Sequence, residues 1–134
     1  MSKNNVRYLL ISSLISSLIS QPFSANAASK SSLVVTYKET PSSAAQKWTL
    51  KCNPAGGTMK GSKSVCGKLA LLSSPFAKPS NSEMCAQIFE SAEVATVSGT
   101  WNGKKVFARF SKSDGCEQKR WKDLAFLVQG KKAP

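Results

Sequence analysis

Four cysteines, Cys52, Cys66, Cys85 and Cys116, constrain this chain more than any other feature. No two of them lie close enough to form a CxxC knuckle, and the sequence contains no histidine to complete a zinc site. No metal or cofactor is therefore expected. In an oxidising compartment the four would close two disulfides, and their spacing alone allows three pairings. The missing histidine also removes Ser-His-Asp and Cys-His catalytic sets.

The amino-terminal residues indicate such a compartment. Lys3 and Arg7 make a basic start, and Tyr8 to Ile11 with the Leu14-Ile15 and Leu18-Ile19 pairs form a serine-diluted apolar stretch. Ala25-Asn26-Ala27 has the small-x-small pattern of a cleavage site. The apolar run is interrupted and shorter than the roughly 18 residues a membrane span needs. Residues 1-27 are read as a secretory signal, with a mature domain over 28-134 that is secreted or periplasmic and keeps no membrane segment. Losing Lys3 and Arg7 lowers the net charge from +12 to +10. One core of common domain size, helped by staples, suits the remaining length.

Along that domain, Leu33 to Tyr37 and Trp48 to Cys52 read as strands, the second ended by Asn53-Pro54-Ala55-Gly56-Gly57. Val65, Leu69 and Leu72 recur at helical spacing after Ser62, a suitable N-cap, so a short core-facing helix carries Cys66. Pro75 to Ser82 is a loop by its prolines and polar end. Val94 to Trp101 and Lys104 to Phe110 flank Asn102-Gly103, the pair favoured in a type I′ hairpin turn, where both residues need positive φ. Ser111 to Lys122 has room for a second short helix, and Asp123 to Val128 reads as a last strand before a basic tail. The expected fold is α+β, a two-layer sandwich of a five-stranded antiparallel sheet and one or two short helices, with two disulfides.

These segments carry a resemblance. Leu50-x-Cys52-x-Pro54-x-Gly56-Gly57-Thr58, Cys66-x-x-Leu69-Ala70, Met84-Cys85, Val97-x-Gly99-x-Trp101-x-Gly103-Lys104-x-Val106 and Cys116-Glu117 stand in the order of the Streptomyces subtilisin inhibitor family. The chain resembles that family over about residues 32 to 128. The resemblance implies an inhibitor of subtilisin-like serine proteases, and not an enzyme. It implies the pairings Cys52–Cys66 and Cys85–Cys116, each stabilising by roughly 3 to 4 kcal/mol in the chain-entropy picture. It implies a substrate-like loop whose scissile bond is Gln87–Ile88, with Met84, Cys85, Ala86 and Phe89 as further protease contacts, and a homodimer formed through the outer sheet face.

Such a loop binds as a good substrate does, by main-chain hydrogen bonds and alternate side chains in pockets. Holding it in the bound conformation removes ordering entropy from the association. Met84 suits an apolar P4 pocket. Gln87, at P1, carries no charge for the acidic floor of a trypsin-like S1 pocket. The bland alternative for Met84 and Phe89 is that they are ordinary core residues. Three positions depart from the family pattern. The usual P2 proline is Ala86, which frees φ. The asparagine that supports the loop is Asp114, whose carboxylate accepts but does not donate. The His-Pro after the Gly-Gly-Thr turn is Met59-Lys60.

The basic balance raises an alternative, a secreted polyanion-binding protein, from Lys104-Lys105-x-x-x-Arg109 and Lys119-Arg120-x-Lys122 with Trp101, Phe110 and Trp121 nearby. The bases are spread along the chain and no nucleic-acid motif is present, so nucleic acid is not expected as a partner. Glu83, Glu90, Glu93 and Glu117 form no recognisable catalytic constellation.

Overall fold

A computed structural model describes residues 30–130. The expected signal segment 1-27, its cleavage site and the basic tail at Lys131-Lys132 lie outside the described residues. Two strands come first, β1 (Ser31–Lys38) and β2 (Gln46–Cys52), then helix α1 (Ser62–Ala70). Strands β3 (Ser91–Trp101) and β4 (Lys104–Lys112) follow, then α2 (Gly115–Leu124) running into a 3-10 turn at Ala125–Val128.

The four strands form one antiparallel sheet in the order β2-β1-β3-β4. Side chains alternate between its faces. Leu33, Val35, Tyr37, Leu50, Ala95, Val97 and Phe110 point inward and are buried. Against them pack Val65 and Leu69 from α1, Trp121 and Leu124 from α2, and Leu127 and Val128 from the 3-10 turn. Trp121 meets the Phe110 ring at 5.4 Å and the Tyr37 ring at 6.4 Å between centroids. Both helices lie on this one face, which makes the two layers.

Among the described residues the sheet has four strands where the sequence suggested five. The misread segment is Asp123 to Val128. Leu124, Leu127 and Val128 are buried while Ala125 and Phe126 are half-buried, which is helical spacing and not strand alternation. A short apolar run does not by itself distinguish the two. At α1, Ser62 is the first helical residue and not the cap. Gly61 caps it, in the left-handed region (φ 66°), with no side-chain cap bond. The hairpin is as read, with Asn102 (φ 48°) and Gly103 (φ 78°) joining paired Trp101 and Lys104.

Beyond Cys52 the chain doubles back along the β2 edge. Lys51 and Gly56 exchange both backbone bonds, and Met59 N–H donates to the Thr49 carbonyl at 3.0 Å. Gly57 (φ 99°) lies so close that a Cβ there would fall 2.3 Å from the Thr49 carbonyl oxygen. This return covers an otherwise open sheet edge. It also sinks Met59, where the family has histidine, into the core. Cys52–Cys66 ties β2 to α1 across a Cα separation of 5.8 Å. Among the described residues no helix is long and apolar enough to cross a membrane.

Candidate functional site

Between α1 and β3 the chain has no regular secondary structure over Glu83 to Glu90. Every residue there is exposed except half-buried Cys85. Met84 is 98 % exposed, Ile88 65 % and Phe89 66 %. The alternative that Met84 and Phe89 are ordinary core residues is thereby removed. Three large apolar side chains thus stand in solvent within six residues of one another.

The segment is tied down along one side by α2. Cys85 is bridged to Cys116, in the first turn of that helix, with 5.3 Å between Cα atoms. Gly115 N–H, at the first helical position, donates to the Ala86 carbonyl at 2.8 Å. Helix N-termini leave such N–H groups without intrahelical partners, so this one is available for the loop. The approach is close, since a Cβ on Gly115 would lie 3.3 Å from the Ala86 Cβ. One turn further on, Gln118 Nε2 donates to the Ile88 carbonyl. Glu90 N–H then donates to the Lys112 carbonyl at 3.0 Å and leads into β3.

Gln87 sits between the two anchored carbonyls. The Ala86 and Ile88 carbonyls both accept from α2, on either side of it. The Gln87 side chain makes only a local bond, Nε2 to the Cys85 carbonyl at 3.1 Å. Asp114 caps α2, its Oδ1 accepting from Glu117 N–H at 3.0 Å and its Oδ2 from Ser113 Oγ at 3.2 Å. Among the described residues, none of its side-chain hydrogen bonds reaches the loop. It acts by starting the helix whose first N–H does. Gly115 and Gln118 were not picked out from sequence. The signal that would have located them is Asp114-x-x-Glu117, a cap residue with an acid three positions on.

Ligand-type atoms of Cys85, Asp114 and Cys116 lie within 4.8 Å of one another. Both sulfurs are committed to the disulfide, so this group offers no thiolate to a metal.

Under the loop's carboxyl-terminal end is a polar cluster. Tyr37 Oη donates to Glu93 Oε1 at 2.7 Å, and Ser91 Oγ to Glu93 Oε2 at 3.0 Å. Lys112 Nζ lies 2.9 Å from Glu93, 3.2 Å from Glu90 and 5.2 Å from the centre of the Trp121 ring. Burial, then the bond to Glu93, pushes the Tyr37 phenol above its ordinary 10.0. The hydrogen bond to Glu93 raises Lys112 above 10.5 against an opposing effect of burial. Both groups hold their proton more tightly folded than unfolded. Their contribution is therefore complete below the unfolded values and is lost as pH climbs through the folded ones. The melting temperature is expected to be level between about pH 7 and 9 and to fall above about pH 10. Tyr37→Phe should start lower by about 1 kcal/mol and show a shallower alkaline fall. Thermal melts across that range check both.

The fold and this site together define a class: a small α+β domain, stapled twice, that presents an exposed segment fastened to a helix N-terminus. Residues 27–113, about two thirds of the chain, match the subtilisin inhibitor-like family, and the chain belongs to it. Among solved structures it is similar to Streptomyces caespitosus sermetstatin, determined in complex with Bacillus licheniformis subtilisin. That likeness has 22% sequence identity and a TM-score of 0.45, covering 71% of this chain and 96% of the other. A search of curated proteins finds no match.

Proposed function

We propose that this chain is a secreted or periplasmic inhibitor of subtilisin-like serine proteases, acting through the Met84–Phe89 segment with Gln87–Ile88 as the scissile bond. Family membership supports the class. The observation that carries the assignment of the bond is the fastening of the Ala86 and Ile88 carbonyls, on either side of Gln87, to the first turns of α2.

The protease's serine attacks the Gln87 carbonyl carbon, the Gln87–Ile88 bond breaks, and the acyl group stays on the enzyme while Ile88 leaves as a free amine. The chemistry is the enzyme's, and the inhibitor needs no catalytic side chain. On the acyl side Cys85–Cys116 retains the segment. On the amine side Gln118 retains Ile88 through its carbonyl. The new amine therefore stays beside the acyl carbon at high effective concentration and reforms the bond before water removes the acyl group. Docking displaces the Gln87 side chain from the Cys85 carbonyl and leaves Met84 free for an apolar pocket.

Gln118→Ala should weaken inhibition about tenfold, the worth of one hydrogen bond of roughly 1 to 1.5 kcal/mol, and speed cleavage during incubation. Gln118→Glu should not rescue it, since a carboxylate does not donate to a carbonyl. A thermal melt unchanged beside altered inhibition separates this from a general loss of fold.

Titration of the mature protein against subtilisin tests the function. It should abolish activity near one-to-one stoichiometry, with the first cut after Gln87. Absence of inhibition across a broad serine-protease panel would overturn the proposal. The homodimer implied by the family resemblance would pair the outer sheet faces. The cations on that face oppose such pairing, and sedimentation reads the oligomeric state.

A further inference from the structure

Of the basic run Lys119-Arg120-x-Lys122, Lys119 and Lys122 are exposed and Arg120 is turned inward, its side chain 13 % exposed. Arg120 Nη1 donates to the Arg109 carbonyl at 2.9 Å and lies 2.8 Å from Glu117 Oε1. The other oxygen of Glu117, Oε2, accepts from Ser111 N–H at 3.2 Å. Arg109 and Ser111 are alternate residues of β4, the outer strand of the sheet, so these groups belong to its open edge. A carboxylate and a guanidinium, paired with each other, thus supply from α2 the acceptor and the donor that a neighbouring strand would offer.

Stability does not account for this arrangement. Arg120 Nη2 is buried and, among the described residues, makes no hydrogen bond. A desolvated ion pair can often be replaced by apolar side chains of similar volume without loss, and an unpaired buried nitrogen adds to its cost. What the pair adds is direction. The core contacts of α2, through Trp121 and Leu124, are apolar and non-directional. Cys85–Cys116 ties the helix to the loop and not to the sheet. Gln118 Nε2 reaches the Lys112 carbonyl only at 3.4 Å. The two loop donors, Gly115 N–H and Gln118 Nε2, stand on the same ten-residue helix as the pair. First-turn N–H groups point along the helix axis, so a slide of α2 by about 1 Å takes the 2.8 Å bond from Gly115 to Ala86 out of range.

We propose that Glu117 and Arg120 are positioning residues of the inhibitory loop: by fixing α2 on the β4 edge they hold Gly115 and Gln118 opposite the Ala86 and Ile88 carbonyls. This rests on the reading of Met84–Phe89 as the protease-binding segment. Among the described residues, neither side chain makes a hydrogen bond to that segment, and their effect passes through the helix. Without the pair, α2 is free to slide on its apolar contacts. The loop carbonyls then spend time unpaired, and a cut Gln87–Ile88 bond separates before it reforms.

The test compares the mature protein with Glu117→Gln/Arg120→Met, which removes the pair without leaving a charge, and with Val65→Ala, which opens a cavity under α1. Two quantities are read: amide hydrogen exchange at Gly115 and the rate at which subtilisin cuts after Gln87. The pair variant should exchange roughly tenfold faster at Gly115 and be cut roughly fivefold faster, while melting within a few degrees of the parent. Val65→Ala should melt several degrees lower and stay within about twofold of the parent on both. Equal acceleration in the two variants would mean a general loss of stability and would overturn the proposal. Unchanged exchange at Gly115 in the pair variant would overturn it as well. Faster exchange with unchanged cleavage would confine the pair to the fold and overturn its role in inhibition. A parent that neither inhibits subtilisin nor is cut after Gln87 would overturn the inhibitor reading, while exchange at Gly115 would still decide whether the pair fixes the helix.

Discussion

Replacing Cys85 and Cys116 together by serine is expected to convert the protein from an inhibitor into a substrate. The bridge closes a sequence separation of 31 residues, so its loss should lower stability by about 3 to 4 kcal/mol, observable in urea denaturation. The larger effect falls on the loop. Met84–Phe89 would keep Gly115 and Gln118 as anchors but lose its covalent one, and ordering even part of it on binding costs about 1 kcal/mol per residue. Affinity for subtilisin should drop by two to three orders of magnitude, and cleavage after Gln87 should run to completion because the acyl side is no longer retained. The Cys52→Ser/Cys66→Ser chain is the comparison. It loses a scaffold bridge of separation 14 and roughly 3 kcal/mol, while its folded fraction should inhibit at the parent's stoichiometry. Equal inhibition by both variants would show that the second bridge holds nothing the protease needs.

The second large effect is a change of target. Gln87→Lys should raise inhibition of trypsin-like enzymes by about 10² to 10³, since a desolvated lysine paired with an acidic pocket floor is worth roughly 2 to 5 kcal/mol. Gln87 is exposed and makes only its local bond to the Cys85 carbonyl, so stability should be unchanged. Inhibition constants against trypsin and subtilisin for both chains provide the measurement. Indifference of trypsin to this substitution would place the reactive bond elsewhere.

Much of the fold was legible because its signals are local. Asn102-Gly103 reported a turn that only residues tolerant of positive φ adopt, and the structure has that hairpin. The Val65 and Leu69 stripe reported a core-facing helix. Asp123 to Val128 failed because five apolar residues in six satisfy both strand and helical readings, and only packing against β1 and β4 selects between them. The exposed segment beginning beside the third cysteine is fastened through groups next to the position from which the resemblance implied support. Asp114 caps the helix, and Gly115 and Gln118 on that helix bond the Ala86 and Ile88 carbonyls.

The sequence by itself determined the number of staples, the hairpin and the α+β composition. Those properties depend on residue types over a few positions. The tertiary structure alone decided the rest. It turned the first N–H of α2 onto the Ala86 carbonyl and brought Gln118 to Ile88 across 30 positions of sequence. It also gathered Lys47, Lys51, Lys105 and Arg109 from the two outermost strands onto one face. Each depends on register and on the docking of a helix against a sheet, which fix distances between residues remote in the chain and leave no mark on the residues around either one.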